Sequence, residues 1–227
     1  MTTSRYLLPK RFQFSRRRWL GPACAALAIA SSPAAATVAW DEAISGDLSN
    51  SGLTATAVTF GVGSNIVQGT IGHDPTGAID RDYFTFTVGP NQFLTSLNIL
   101  QGTQTLGLSF IGLQSGTQVT LATNAPNAAG LLGWAHYGAT DVGTDILDNM
   151  SVAANGSTGF SVPLGPGSYA VWLQEISPGG SVPYAFDFEI ASVPEASTWM
   201  MMLAGFGVLG LALRSRRIGR VGRRQLA

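Results

Sequence analysis

The chain has 227 residues and a formal net charge of zero, but its charges are segregated along its length. Six of its thirteen basic residues precede residue 19 and six follow from Arg214 onward, so Arg81 alone faces twelve carboxylates between Thr37 and Val193, a balance of about −11. Such a surface has no basic patch to replace phosphate counterions and excludes nucleic acid as a partner. The single cysteine, Cys24, likewise excludes disulfides, thiolate zinc sites and a cysteine nucleophile from the remainder of the chain.

In chain order, residues 1–36 read as a secretory signal. A basic stretch ends Ser15-Arg16-Arg17-Arg18, an apolar run follows from Trp19 to Ala30, and Ala34-x-Ala36 is a small-residue cleavage site that makes Thr37 the first mature residue. Cleavage after Ala39 is the alternative. The run S-R-R-R-W-L also resembles a twin-arginine signal, so the expected partners are signal peptidase and either the Sec or the twin-arginine translocon. Gly21-Pro22-Ala23 before Cys24 lacks the aliphatic lead of a lipoprotein box, and lipidation is not expected.

Residues 37–192 carry short alternating runs separated by Gly, Pro and Asn, which predict an all-β domain of about eight strands, an antiparallel, jelly-roll-like β-sandwich. Phe84, Phe86 and Val88 share one face of a strand, and Tyr184, Phe186, Phe188 and Ile190 share one face of another. A strand over Ser168 to Gln174 is expected to neighbour the latter. Further strands are predicted at Ala55 to Phe60, Asn65 to Thr70, Phe93 to Leu100, Leu106 to Ile111 and Gln118 to Ala122. Leu131, Leu132, Trp134 and Tyr137 are expected to form a short helix or to cover one end of the domain.

Candidate chemistry is sparse. Asp74, Asp80 and Asp82 cluster in a loop before a strand, a pattern that suits Ca²⁺, the one candidate cofactor, but that is read first as a solvated turn whose aspartates cap backbone groups. Asp141, Asp145 and Asp148 are a second acidic group. His73 and His136 stand in no zinc-ligand pattern, and no G-x-S-x-G elbow occurs, so no catalytic residue is assigned. Tyr83 and Trp172 are candidate sugar-stacking rings if they face outward, although aromatics bury most of their area and cover by the second sheet or a loop is the favoured reading. The decoy Gly205-Phe206-Gly207-Val208-Leu209-Gly210 fits a dinucleotide fingerprint, but it sits in an apolar run with no strand before it.

Residues 193–217 close the pattern. Val193-Pro194-Glu195-Ala196-Ser197 leads into an uncharged run, Trp199 to Leu213, then a membrane stop of Arg214, Arg216 and Arg217, with a basic cytoplasmic tail expected over 218–227. The run predicts a C-terminal transmembrane helix of marginal length, roughly 22 Å at 1.5 Å per residue. The order of motif, apolar run and arginine cluster resembles the PEP-CTERM sorting signal, with Ala196 where that signal has its second proline. The resemblance implies that an exosortase processes the chain at Pro194-Glu195 and that the host is a Gram-negative bacterium. It further implies an inner-membrane intermediate and a cell-surface or extracellular destination within an exopolysaccharide or biofilm matrix. Asp80-Arg81-Asp82-Tyr83-Phe84-Thr85-Phe86-Thr87-Val88 and Gly167-Ser168-Tyr169 are also similar to the bacterial pre-peptidase C-terminal sandwich, in which acids near this strand hold calcium. A non-catalytic structural or binding role is the reading these features favour. The rival is an exported polysaccharide hydrolase with an acidic pair among Asp74, Asp80, Asp82, Asp187 and Glu189.

Overall fold

The computed structural model describes residues 36–107, 109–193 and 196–222. The expected signal peptide with Ala34, and Pro194 and Glu195 of the C-terminal motif, lie outside the described residues. Nine strands follow one another: β1 (Thr37–Asp41), β2 (Thr56–Ala57), β3 (Gly63–His73), β4 (Ile79–Val88), β5 (Gln92–Ile99), β6 (Ser109–Ser115), β7 (Gly133–Tyr137), β8 (Gly167–Gln174) and β9 (Ser181–Ser192). Three helices accompany them, α1 (Glu42–Ser45), α2 (Leu147–Ser151) and α3 (Ala196–Gly222).

The strands form one curled, largely antiparallel sheet in the order β5-β9-β3-β4-β8-β6-β7, with β1 added parallel to β3 and β2 parallel to β4. Between β3 and β4 only Gly72–Asp80 and His73–Ile79 pair, so the sheet turns a corner there and its two wings share a core. The predicted layers are thus joined in a single ladder. Period-2 alternation explains the core: Phe84, Phe86 and Val88 of β4 and Tyr184, Phe186, Phe188 and Ile190 of β9 are all buried. Phe188 meets Phe86 at 5.5 Å and stands edge-on to Phe84 at 5.8 Å, while Tyr137 of β7 stands edge-on to Phe186 at 5.3 Å.

Several expectations are corrected. β9 pairs with β3 and β5, whereas Ser168 to Gln174 (β8) pairs with β4 and β6. Leu132 to Tyr137 yields no helix, because Gly133–Tyr137 is the edge strand β7, paired to β6 from Ser109–Tyr137 to Leu113–Gly133. Gln118 to Ala122 is not a strand, since a loop and a side chain take its backbone donors: Val119 N–H donates to Gly52 O at 2.8 Å and Thr120 N–H to Gln114 Oε1 at 3.0 Å. Strand β1 lacks the flanking turn signals that marked the others and was not predicted.

The transmembrane expectation is also corrected. Residues Ala196–Gly222 do form a helix, with Trp199, Leu203, Phe206 and Arg214 exposed on it, but among the described residues no helix is long and apolar enough to cross a membrane. The physical reason is length and dilution. The uncharged run ends at Leu213, contains Gly205, Gly207 and Gly210, and spans roughly 22 Å against a hydrocarbon core of about 30 Å.

Because Phe188 is the ring on which Phe60, Phe84 and Phe86 all converge, Phe188→Ala is expected to cost about 3–5 kcal/mol, read as a lowered urea midpoint with unchanged slope.

Candidate functional site

Alternation along β4 sends Asp82 inward beside Phe84, at the end of the core nearest the sheet's corner. Its side chain has no exposed surface, and neither carboxylate oxygen has a hydrogen-bond partner. A buried carboxylate without partners is costly when ionised. Burial therefore pushes Asp82 up to about 9, with the charge of Glu42 adding to the shift.

Glu175 shows what a satisfied buried carboxylate looks like in the same molecule. Burial raises it too, but hydrogen bonds from Ser177 N–H at 2.7 Å, Ser109 Oγ–H at 2.9 Å and Leu106 N–H at 3.2 Å outweigh that and hold it below its ordinary value. Asp82 has no such cage. Its neighbours are instead more acids.

Those acids arrive with the N-terminal arm. Strand β1 lies parallel against β3 from Thr37–Asn65 to Asp41–Gln68, and α1 follows at once, its first residue being Glu42. Asp41 caps α1 by accepting from Ala43 N–H at 3.0 Å, and a second oxygen of Asp41 accepts from Gln68 at 2.9 Å, which fixes the helix on the strand. Glu42 then reaches across β3: Oε2 accepts from Thr70 N–H at 2.8 Å and Oε1 from Leu48 N–H at 3.2 Å. The room for this carboxylate is made by Gly69, where any Cβ would collide with it. Burial raises the Glu42 carboxyl above its ordinary value, those two donors oppose the rise, and Asp47 adds to it.

Glu42, Asp47 and Asp82 each present an oxygen within 4.8 Å of the others. Glu42 and Asp47 line a pocket of about 650 Å³ together with Asp41, Asp80 and Tyr184, whereas Asp82, fully buried, does not reach its surface. The Tyr184 hydroxyl is buried without a hydrogen-bond partner. Burial and then the charges of Asp82 and Glu42 push its ionisation well above the ordinary value, so it stays a donor. Arg81, between the two aspartates of β4, points to the other face and donates to Gln174 at 3.1 Å.

The three loop aspartates expected to share an ion therefore part company. Asp74 closes its own turn, accepting from Thr76 N–H, Thr76 Oγ1–H and Ala78 N–H at 2.7 to 2.9 Å, and the Thr76 hydroxyl chiefly holds it below the usual range against slight burial. Asp80 accepts from Asn50 Nδ2 at 2.9 Å on the pocket's rim. Only Asp82 enters the cluster, and its partners Glu42 and Asp47 lie some forty residues earlier. No spacing rule connects a short arm helix to a strand that far away, so sequence reading missed them. The second acidic group is structural: Asp141 accepts from Gly138 N–H at 2.7 Å, and Asp145 from Leu97 N–H at 2.9 Å and Leu147 N–H at 3.0 Å.

Tyr83 and Trp172 are not outward platforms. They stack at 5.7 Å on the outer face of β4 and β8, but Val119, Ala128 and Leu131 cover them as a second small core, leaving each under 5% exposed. Trp134 and His136 of β7 rim a pocket of about 200 Å³ beside them. Both histidines sit in strands, not loops, His73 at the end of β3 and His136 in β7.

At the C-terminus, Val193 is exposed and donates its N–H to Asn91 O at 2.8 Å, the last tie of the chain to the sheet before Ala196 opens α3. Residues 192–217 match the family model of the PEP-CTERM protein-sorting motif. No curated protein and no solved structure matches the chain. The motif implies exosortase processing of an exported protein.

The pocket's acids fix a pH dependence for protein held free of divalent ions. The folded state keeps a proton on Asp82 that the unfolded chain releases near its ordinary value of about 4, so stability falls as pH rises from about 4 towards about 9. Glu42 and Asp80, both raised by burial and by Asp47, act in the same direction, and Tyr184 and Tyr137, which also face Asp82, stay neutral across this window. In EDTA the protein is expected to melt higher at pH 5 than at pH 8, and Asp82→Asn is expected to add about 1–3 kcal/mol at pH 8 while flattening the slope, as followed by thermal melts across that range.

Proposed function

We propose that this chain, which carries a PEP-CTERM sorting motif, is an exported cell-surface or extracellular-matrix protein with a structural or binding role, delivered by exosortase into an exopolysaccharide matrix. The observation that carries the reading is the sorting motif over residues 192–217, placed at the end of the last strand of the β domain. The domain is read as a jelly-roll-like sandwich whose acidic surface suits cations and neutral polymers and repels anionic ones.

A catalytic role has less support. Of the acids open to pairing, Asp187 and Glu189 lie on the outer side of β9, with Asp187 accepting from Ser64 Oγ–H at 2.7 Å, while Asp82 lies on the inner side of β4. Asp82 has the raised proton affinity of a general acid, yet with no exposed surface it cannot hand that proton to a glycosidic oxygen. Flat aromatic platforms for sugar are also lacking at Tyr83 and Trp172, so polysaccharide contact falls to the pocket rim at Trp134 and His136.

The test is the intact mass and location of the mature protein in its host with and without the exosortase. Wild-type cells are expected to yield a product that starts near Thr37 and ends close to Pro194-Glu195, outside the cell, while the exosortase mutant retains the C-terminal segment and accumulates the chain in the envelope. Identical products in the two strains would overturn the assignment.

A further inference from the structure

The acidic pocket has three properties that a merely solvated acidic turn lacks. First, the Asp82 carboxylate, within reach of Glu42 and Asp47 of the pocket wall, is buried with both oxygens unpartnered, and the hydroxyl of Tyr184, which lines the pocket, is buried and unpartnered as well. Buried polar groups in folded proteins almost always have a partner, and exceptions point to an absent ion or water. Second, the oxygens of Glu42, Asp47 and Asp82 lie within 4.8 Å of one another, the spread of ligands around one calcium ion at about 2.4 Å each. Third, Glu42 is not free to swing away, because Thr70 N–H and Leu48 N–H hold it and Gly69 makes its berth. Each Glu42 oxygen keeps a second lone pair for an ion. Arg81, the one basic residue between Thr37 and Val193, is turned to Gln174 on the opposite face and supplies no counter-charge.

We propose that Glu42, Asp47 and Asp82 form a binding site for a calcium-class divalent cation that pins the N-terminal arm, residues 37–48, onto the sheet. Glu42 and Asp47 belong to the arm and Asp82 to β4, so an ion held by all three joins the two segments in addition to the short parallel pairing of β1 and β3, the polar contacts of Asp41 and Glu42 and the burial of Leu48. All-oxygen, multiply charged ligation selects a hard cation, and the wide open side of the pocket leaves room for the waters that complete six to eight ligands around calcium. Asp80, on the rim, adds to the attractive field without entering the first set of three.

The experiment uses the processed protein purified from its host, stripped with EDTA and titrated with CaCl2 alone. One calcium per chain is expected by calorimetry, with a melting temperature raised by about 5–10 °C at calcium roughly 100-fold above its Kd and with amide exchange slowed over residues 37–48. Asp82→Asn and Glu42→Gln are each expected to abolish both the heat and the thermal shift, and melts in EDTA show that these variants are folded. Gly69→Ala is expected to weaken binding at least tenfold without altering any charge, because its methyl displaces the Glu42 carboxylate. Asp74→Asn is expected to bind as the wild type does. The proposal is overturned if calcium leaves wild-type melting and arm exchange unchanged, if Asp82→Asn and Glu42→Gln keep the full shift, or if magnesium stabilises while calcium does not.

Discussion

The contact between the inner faces of β9 and β4 is the constraint on which the rest of the molecule hangs. With no thiol beyond Cys24, the domain has no covalent staple, and its stability rests on apolar area removed from water. Strand β9 does most of this work. It pairs with β3 from Gly63–Ile190 to Gly72–Ser181 and with β5 on its other side, and it carries Phe186 and Phe188 into the centre of the core. The opposing wing meets it with Phe84, Phe86 and Tyr137. Once those rings are joined, the corner between β3 and β4 is forced, and the corner in turn brings Asp80 and Asp82 under the arm that lies along β3.

Two buried carboxylates show how differently one fold treats similar groups. Glu175 sits at the end of β8 where the chain leaves the sheet, and the loop backbone there turns its donors inward, so burial is compensated locally. Asp82 sits mid-strand, its own backbone committed to the ladder with β8 at Leu173, and no loop reaches it. A strand interior offers an inward side chain apolar walls and little else. The polar neighbours that geometry provides are the acids of the arm, Asp80 and the hydroxyls of Tyr184 and Tyr137. The arm's acids and the strand's aspartate are thus neighbours for topological reasons, and their mutual repulsion is a consequence of the fold that must be answered by a proton or a cation.

Much of this was legible in the sequence, and what was not has a consistent cause. The alternation of Tyr184-Ala185-Phe186-Asp187-Phe188-Glu189-Ile190 and of the stretch around Phe84 places those strands and their inner faces correctly, because period 2 is a local signal. The sorting segment was equally legible, being a linear motif. Pairing was not: β8 and β9 adjoin in sequence and end with Pro178-Gly179-Gly180 between them, yet they fall in different wings, since the choice of partner is made by the whole core and not by the turn. What covers Tyr83 and Trp172 was not legible for a related reason. Their position on the outer face of the strand is right, but the loop that buries them comes from residues 119–131, which no pattern in β4 or β8 announces. Asp82 was singled out from its neighbours in the chain, when the residues that give it meaning, Glu42 and Asp47, belong to a four-residue helix and a turn with no periodicity to detect.

The placement of the arm gives its chemistry a further consequence. Strand β1 pairs in parallel, with a register shift between Val38 and Trp40, and Val38 and Ile44 are exposed. Apolar burial in the arm is concentrated at its end, where Leu48 is buried in the core, with Ala39 and Trp40 packed partly against it. Between those anchors the contacts are polar: Trp40 Nε1–H to Gly46 O at 3.1 Å, Asp41 to Gln68, and Glu42 to Thr70 and Leu48. Polar contacts at a surface are individually weak because water competes for them. Residues 41–47 are therefore the part of the arm whose docking depends most on the charge of the acidic cluster, while Leu48 ties the arm's end to the core. Core stability is thus set by Phe84, Phe86, Phe186 and Phe188 with Leu48 carried in from the arm, and the docking of residues 41–47 by the charge state of three carboxylates.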